Sequence, residues 1–155
     1  WFNLGVAYFA DQQAKHTELC CRTAIGLCGG VGEPEYHQYL GRALGRLGRL
    51  EDCERSFKSA AALAPTQEGQ YLYELGNAYN ALKEHAKAAA AYAKAVEKKC
   101  PDPTVHFGLG LSMEMLRRKD EALKAYQAFL EAAKDNPEFA DYVKITKDRI
   151  AKLEK

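Results

Sequence analysis

The chain has 155 residues, 47% hydrophobic and 28% charged, a balance that suits one globular domain with a sizeable core and excludes a disordered chain. Its 22 basic and 21 acidic residues leave a net charge of +1, which excludes a general electrostatic pull toward nucleic acid or an anionic membrane. No run of 18 apolar residues is present to span a bilayer, and no signal peptide is visible.

The first predicted helix covers about residues 1–10. It opens on Trp1 rather than a methionine and starts inside its own pattern, so the chain is expected to be a fragment of a longer protein. A second amphipathic stretch runs over about 14–28. "GGVG" (Gly29 to Gly32) follows a helix rather than a strand and lacks a GK[ST] ending, so it is a connecting loop and not a phosphate loop. Further apolar stripes at three- and four-residue spacing predict helices over about 35–47, 51–64, 70–82, 86–99, 104–117 and 120–134. Pro65, Pro101 and Pro137 punctuate them. A last stretch, about 138–153, puts Phe139, Tyr142, Val143, Thr146, Ile150 and Leu153 on one stripe and Asp141, Lys144, Lys147, Asp148 and Lys152 on the other side. It is expected to cap the domain.

Two patterns recur along these helices. The pair Leu-Gly with an apolar residue three places on is found at Leu4-Gly5 with Tyr8, Leu40-Gly41 with Leu44, Leu75-Gly76 with Tyr79 and Leu109-Gly110 with Met113. The glycines are spaced by 36, 35 and 34 residues. Each is followed by a triplet at spacing four and three: Thr17, Cys21, Ala24; Cys53, Phe57, Ala60; Ala88, Tyr92, Ala95; Ala122, Tyr126, Phe129. Four copies at this period predict an all-α solenoid of antiparallel helix pairs. A helix such as "YLYELGNAYNAL" (Tyr71 to Leu82) accepts Gly76 at about 1 kcal/mol relative to alanine. The expected return is close approach of a neighbouring helix. In that helix Leu72, Leu75, Gly76, Tyr79 and Leu82 form the expected packing face, and Gln70, Tyr73, Asn77 and Asn80 a second face.

"WFNLGVAY" (Trp1 to Tyr8) and "FKSAAALAP" (Phe57 to Pro65) resemble the two halves of the tetratricopeptide signature. Tyr36-His37, Leu72 and His106 stand where that family often has tryptophan, and Thr17 and Phe129 replace alanines. The resemblance implies a right-handed superhelical α-solenoid in one domain: repeats over 1–34, 35–69, 70–103 and 104–137, and a capping helix over 138–155. It further implies a concave groove lined by the first helix of each repeat. Carried over by register, that groove takes Phe2, Val6 and Phe9, then Glu35, Gln38, Arg42 and Arg46, then Tyr73, Asn77 and Asn80, then Thr104, Phe107, Leu111 and Glu114. Asparagine suits a peptide backbone because its amide both donates and accepts, and arginine suits a carboxylate or phosphate. Some members hold chaperone C-terminal tails in a two-carboxylate clamp. Here Phe2 and Val6 stand at the clamp lysine and first clamp asparagine, and Tyr39 and Glu74 also break that pattern, so this ligand class is set aside.

The resemblance therefore implies a non-enzymatic scaffold that binds a peptide or helix of a protein partner. An alternative is self-assembly through an uncapped N-terminal face carrying Trp1, Phe2 and Phe9, or through the groove. Single-stranded RNA recognition is disfavoured by near-zero net charge and by Glu35 and Glu114 in the groove. No cofactor is implied, and no direct membrane contact is expected of this segment. His16, His37, His85 and His106 show no metal-ligand spacing. Cys20, Cys21, Cys28, Cys53 and Cys100 are odd in number and form no CxxC, so they are expected as reduced thiols in a cytoplasmic, reducing compartment. Adjacent Cys20 and Cys21 point to different helix faces, so only one of them needs a place in the core.

Overall fold

Prolines and left-handed turns set the helix ends. In the computed structural model, which describes residues 1–134 and 136–155, the helices are α1 (Phe2–Ala10), α2 (Ala14–Leu27), α3 (Pro34–Arg46), α4 (Leu50–Leu63), α5 (Glu68–Ala81), α6 (His85–Glu97), α7 (Thr104–Met115), α8 (Lys119–Ala132) and α9 (Ala140–Leu153). Pro34 takes the first turn of α3, where a missing N–H costs nothing. Pro65 and Pro137 open short 3₁₀ turns before α5 and α9. Each of the first four pairs turns through one residue with positive φ: Gln12 (60°), Gly48 (75°), Lys83 (62°) and Arg117 (60°). The next N–H then reaches back to close the helix end, from Gln13 to the Tyr8 carbonyl (2.8 Å), and likewise Arg49 to Leu44, Glu84 to Tyr79 and Arg118 to Met113 at 2.9 Å. These acceptors are the apolar residues of the Leu-Gly pattern.

Only Gly48 among the four turn residues adopts this conformation without a Cβ penalty. Gly48→Ala is therefore expected to lower stability by about 1 kcal/mol, and Lys83→Gly to raise it by a fraction of that. Urea unfolding of the two variants checks both signs. The same turn corrects the placement of Leu82 on the packing face. Leu82 lies one residue past the end of α5, where the chain swings into the Lys83 turn, and it is 41% exposed.

Consecutive helices pack side by side along the chain, giving an α-solenoid of antiparallel pairs. All twelve triplet residues are buried, nine of them with no exposed surface. They meet the Leu-Gly glycines by close approach. A Cβ on Gly41 would stand 3.0 Å from the Phe57 ring, one on Gly76 2.6 Å from Tyr92 and one on Gly110 2.5 Å from Tyr126. In the first pair the smaller Cys21 takes the ring's place, and a Cβ on Gly5 would meet Cys20 at 3.1 Å. Glycine is thus required by an aromatic ring laid flat against the helix backbone sixteen residues upstream.

Cys20 and Cys21 are both buried, at 2% and 0%, against the expectation that one would suffice. The reason is geometric: α2 is packed by α1 on one side and by α3 on the other. Burial pushes the Cys21 thiol up to about 11 and the Cys53 thiol up to about 12, so both stay protonated and unreactive. Five cysteines are free, and Cys28 among them is exposed. Helix α9 is a lighter layer. Thr146 is its one buried residue, while Tyr142 and Ile145 are 43% and 45% exposed. Tyr142, expected on the greasy stripe, touches Phe107 and Phe129 edge-on with its rim in solvent. No described helix is long and apolar enough to cross a membrane.

Candidate functional site

The first helices of the pairs converge. α1 meets α3, α3 meets α5, and α5 meets α7, whereas the second helices stand apart. The array therefore curves with α1, α3, α5 and α7 on its inner side. Small residues permit this: a Cβ on Gly45 of α3 would meet Ala78 of α5 at 3.0 Å.

The centre of the inner side is a cavity of about 390 Å³. Phe9 of α1, Arg42 and Arg46 of α3, and Tyr73 and Asn77 of α5 line it together with Glu74. Five of the fourteen expected groove residues thus come together here, drawn from three helices. Arg46 lies over the Phe9 ring, 3.8 Å from its centroid, and donates from Nη1 to the Phe9 carbonyl at 3.0 Å. Arg46 is exposed and makes no ion pair among the described residues. Arg42 is committed elsewhere. Its Nε and Nη2 donate to the two carboxylate oxygens of Glu74, each at 2.5 Å, and Gln38 donates to the same carboxylate at 2.7 Å. Burial works against the Arg42 charge, but Glu74 more than offsets it and holds the guanidinium's pKa above its ordinary value.

The polar residues of α5 are also partly engaged. Asn77 accepts from the Tyr92 hydroxyl at 2.7 Å through Oδ1, which leaves its amide NH₂ unspent by that bond on an exposed residue. The Tyr73 hydroxyl shares a 2.7 Å hydrogen bond with Thr104 of α7. Asn80 faces the His85 ring at 3.3 Å, near the turn into α6 and outside the cavity.

The remaining expected groove residues form the two ends. Phe2 packs against Tyr36 and Tyr39, at 4.6 and 5.6 Å between centroids, and Val6 is half-buried on the same helix. Phe107 sits among Tyr126, Phe129 and Tyr142, and Leu111 is half-buried. Glu114 accepts from the Tyr126 hydroxyl at 2.6 Å and from Arg149 of α9 at 3.0 Å. These end residues hold the array together and do not open onto the central cavity. Glu74 and Arg149 were not foreseen as partners of groove residues. Their partners lie 32 and 35 residues away, close to one repeat, so pairing opposite charges one period apart would have found both.

The tetratricopeptide repeat family model matches residues 40–103 and 88–137, which together span more than half of the chain. No curated protein matches it. Among solved structures it is similar to a crystal structure of MamA, with 23% identity and a TM-score of 0.75 over 88% of this chain and 78% of that one. A second MamA crystal structure gives 23% identity and a TM-score of 0.73, over 90% and 74% of the two chains. A third, described as MamA AMB-1, gives 16% identity and a TM-score of 0.65, over 99% and 82%. At these identities the likeness is one of fold.

Proposed function

This chain belongs to the tetratricopeptide repeat family, a family of protein-interaction scaffolds, and on that premise we propose that its concave face binds an extended peptide of a partner protein. The observation that carries this reading is the central cavity, which an exposed arginine seated over Phe9 lines together with the exposed Asn77. Arg46 supplies a cation for an acidic side chain of the peptide, and Asn77 a donor for its backbone. Arg42 serves differently: it is already neutralised by Glu74 and fixes α3 to α5. On this reading the protein is non-enzymatic, with repeats over 1–34, 35–69, 70–103 and 104–137 and a cap over 138–155. Its free thiols suit a reducing, cytoplasmic setting.

Selection of random peptides on the immobilised chain tests the proposal. Peptides recovered by the native chain are expected to carry an acidic residue and to be lost on Arg46→Glu. Recovery of the same peptides by both chains would sink it. A second reading, self-assembly through the N-terminal face, is favoured by one observation. Leu4, at the register of the buried Leu40 and Leu75, is 45% exposed, and Trp1 beside it is 60% exposed.

A further inference from the structure

The outer side of the array holds a furrow of about 570 Å³ between α4 and α6, with Tyr71, Leu75 and Tyr79 of α5 as its floor. At the middle of its wall α6 offers the small Ala90 and Ala91, where the register-equivalent of Ala90 is Arg55 in α4 and Lys124 in α8. Those two alanines are bracketed by Lys87 and Lys94, seven residues and so about two helical turns apart. Lys94 has no ion-pair partner among the described residues, and the Lys87 ammonium is a distant 3.8 Å from Glu84. The other rim lysines are already answered, Lys58 by Glu54 at 2.7 Å and Lys98 by Glu68 at 2.8 Å. The wall of α6 therefore presents one unpaired cation, Lys94, and one loosely held, Lys87, which also lies 5.8 Å from the Tyr79 ring centroid, with a small apolar gap between them.

Helix α9 carries the complement. Its outward stripe has the exposed Ile145 between Asp141 and Asp148, again seven residues apart and both exposed, with no ion pair on either among the described residues. Laid parallel to α6, one register serves all positions: Asp141 faces Lys87, Ile145 faces Ala91 and Asp148 faces Lys94. In this register Lys152 arrives at Lys98, whose charge is already answered by Glu68. α9 is held to its own chain at one end of the array, so it cannot reach its own α6 wall in this arrangement.

We propose that the furrow between α4 and α6 receives helix α9 of a second copy of this chain, with Asp141 and Asp148 paired to Lys87 and Lys94 around Ile145. The two surfaces are different patches of one molecule, and the proposed contact runs head to tail, so that each copy added leaves one furrow and one helix for the next. It involves neither the concave cavity nor the Trp1–Leu4 end, and it goes beyond the peptide-binding reading.

Sedimentation velocity across a concentration series tests it, using the whole chain with thermal melting as a fold control. The native chain is expected to gain mass with concentration past the dimer, and to do so less at high salt. Lys87→Glu with Lys94→Glu, or Asp141→Lys with Asp148→Lys, weakens association at least about tenfold. An equimolar mixture of these two variants grows again as an alternating array, because the reversed furrow of one takes the reversed helix of the other and the native furrow takes the native helix. A chain carrying all four reversals grows again. A native chain that stays monomeric, variants that associate as the native chain does, or a mixture that fails to grow would each overturn the proposal. Association lost on Leu4→Asp yet indifferent to the reversals would place the contact at the N-terminal end instead.

Discussion

Tyr92→Ala is expected to cost about 3–5 kcal/mol in urea unfolding, the largest effect of any single truncation here. The side chain is 1% exposed and lies between two helices of different pairs. On one side the ring covers Gly76 of α5, and on the other Gly108 of α7, where an added Cβ would stand 2.7 Å away. Truncation therefore opens a cavity lined by two glycine backbones, which have no side chains with which to refill it. It also removes the hydroxyl that donates to Asn77. Tyr92→Phe isolates that second loss and should cost about 1 kcal/mol. The native Phe57 at the same register in α4 shows that the array accepts a ring without the hydroxyl. The reciprocal change, Gly76→Ala, forces a methyl to 2.6 Å from the ring and should cost about 1–3 kcal/mol by overpacking. Equal stability of Tyr92→Ala and the native chain would contradict this view of the packing.

Glu74→Ala ranks second, at about 2 kcal/mol. Glu74 is 8% exposed and receives three hydrogen bonds, two from Arg42 and one from Gln38. Its removal leaves a half-buried guanidinium and an amide without their acceptor. A fully buried pair broken on one side costs about 3–5 kcal/mol, and the 31% exposure of Arg42 lets water replace part of the loss. Replacing both partners by apolar residues, Arg42→Met with Glu74→Leu, should recover much of the loss, since no unpaired charge then remains. A double-mutant cycle measures the coupling. Additive single costs would mean that the pair does not bind α3 to α5.

Most of the fold is legible in the sequence because its packing is local and periodic. Each Leu-Gly glycine and the residue that covers it are sixteen residues apart, within a single helix pair, and the spacing repeats four times, with a ring as the cover in three of them. The triplets therefore name the core before any helix is placed. What escapes is of another kind. Cys20 is buried because α2 has neighbours on two sides, which one helix's periodicity does not record. Leu82 is exposed because the turn at Lys83 ends α5 one residue before it. Arg42 is claimed by Glu74 from the next first helix, so a residue that reads as a groove cation is a strut. Arg46, one turn on, is left facing the cavity. The furrow beside α6 also needs three dimensions. "AAAA" in α6 marks close packing, and only the placement of α4 turns its outer alanines into a wall.

The central claim is that the inner face recognises a peptide through Arg46 beside Phe9 and Asn77. Its most direct test is the affinity, by fluorescence anisotropy, of one selected acidic peptide for the native chain and for Arg46→Glu, with thermal melting to show that both are folded. Loss of one charge-assisted hydrogen bond predicts at least about tenfold weaker binding by Arg46→Glu. Equal affinity of two equally folded chains would contradict the account.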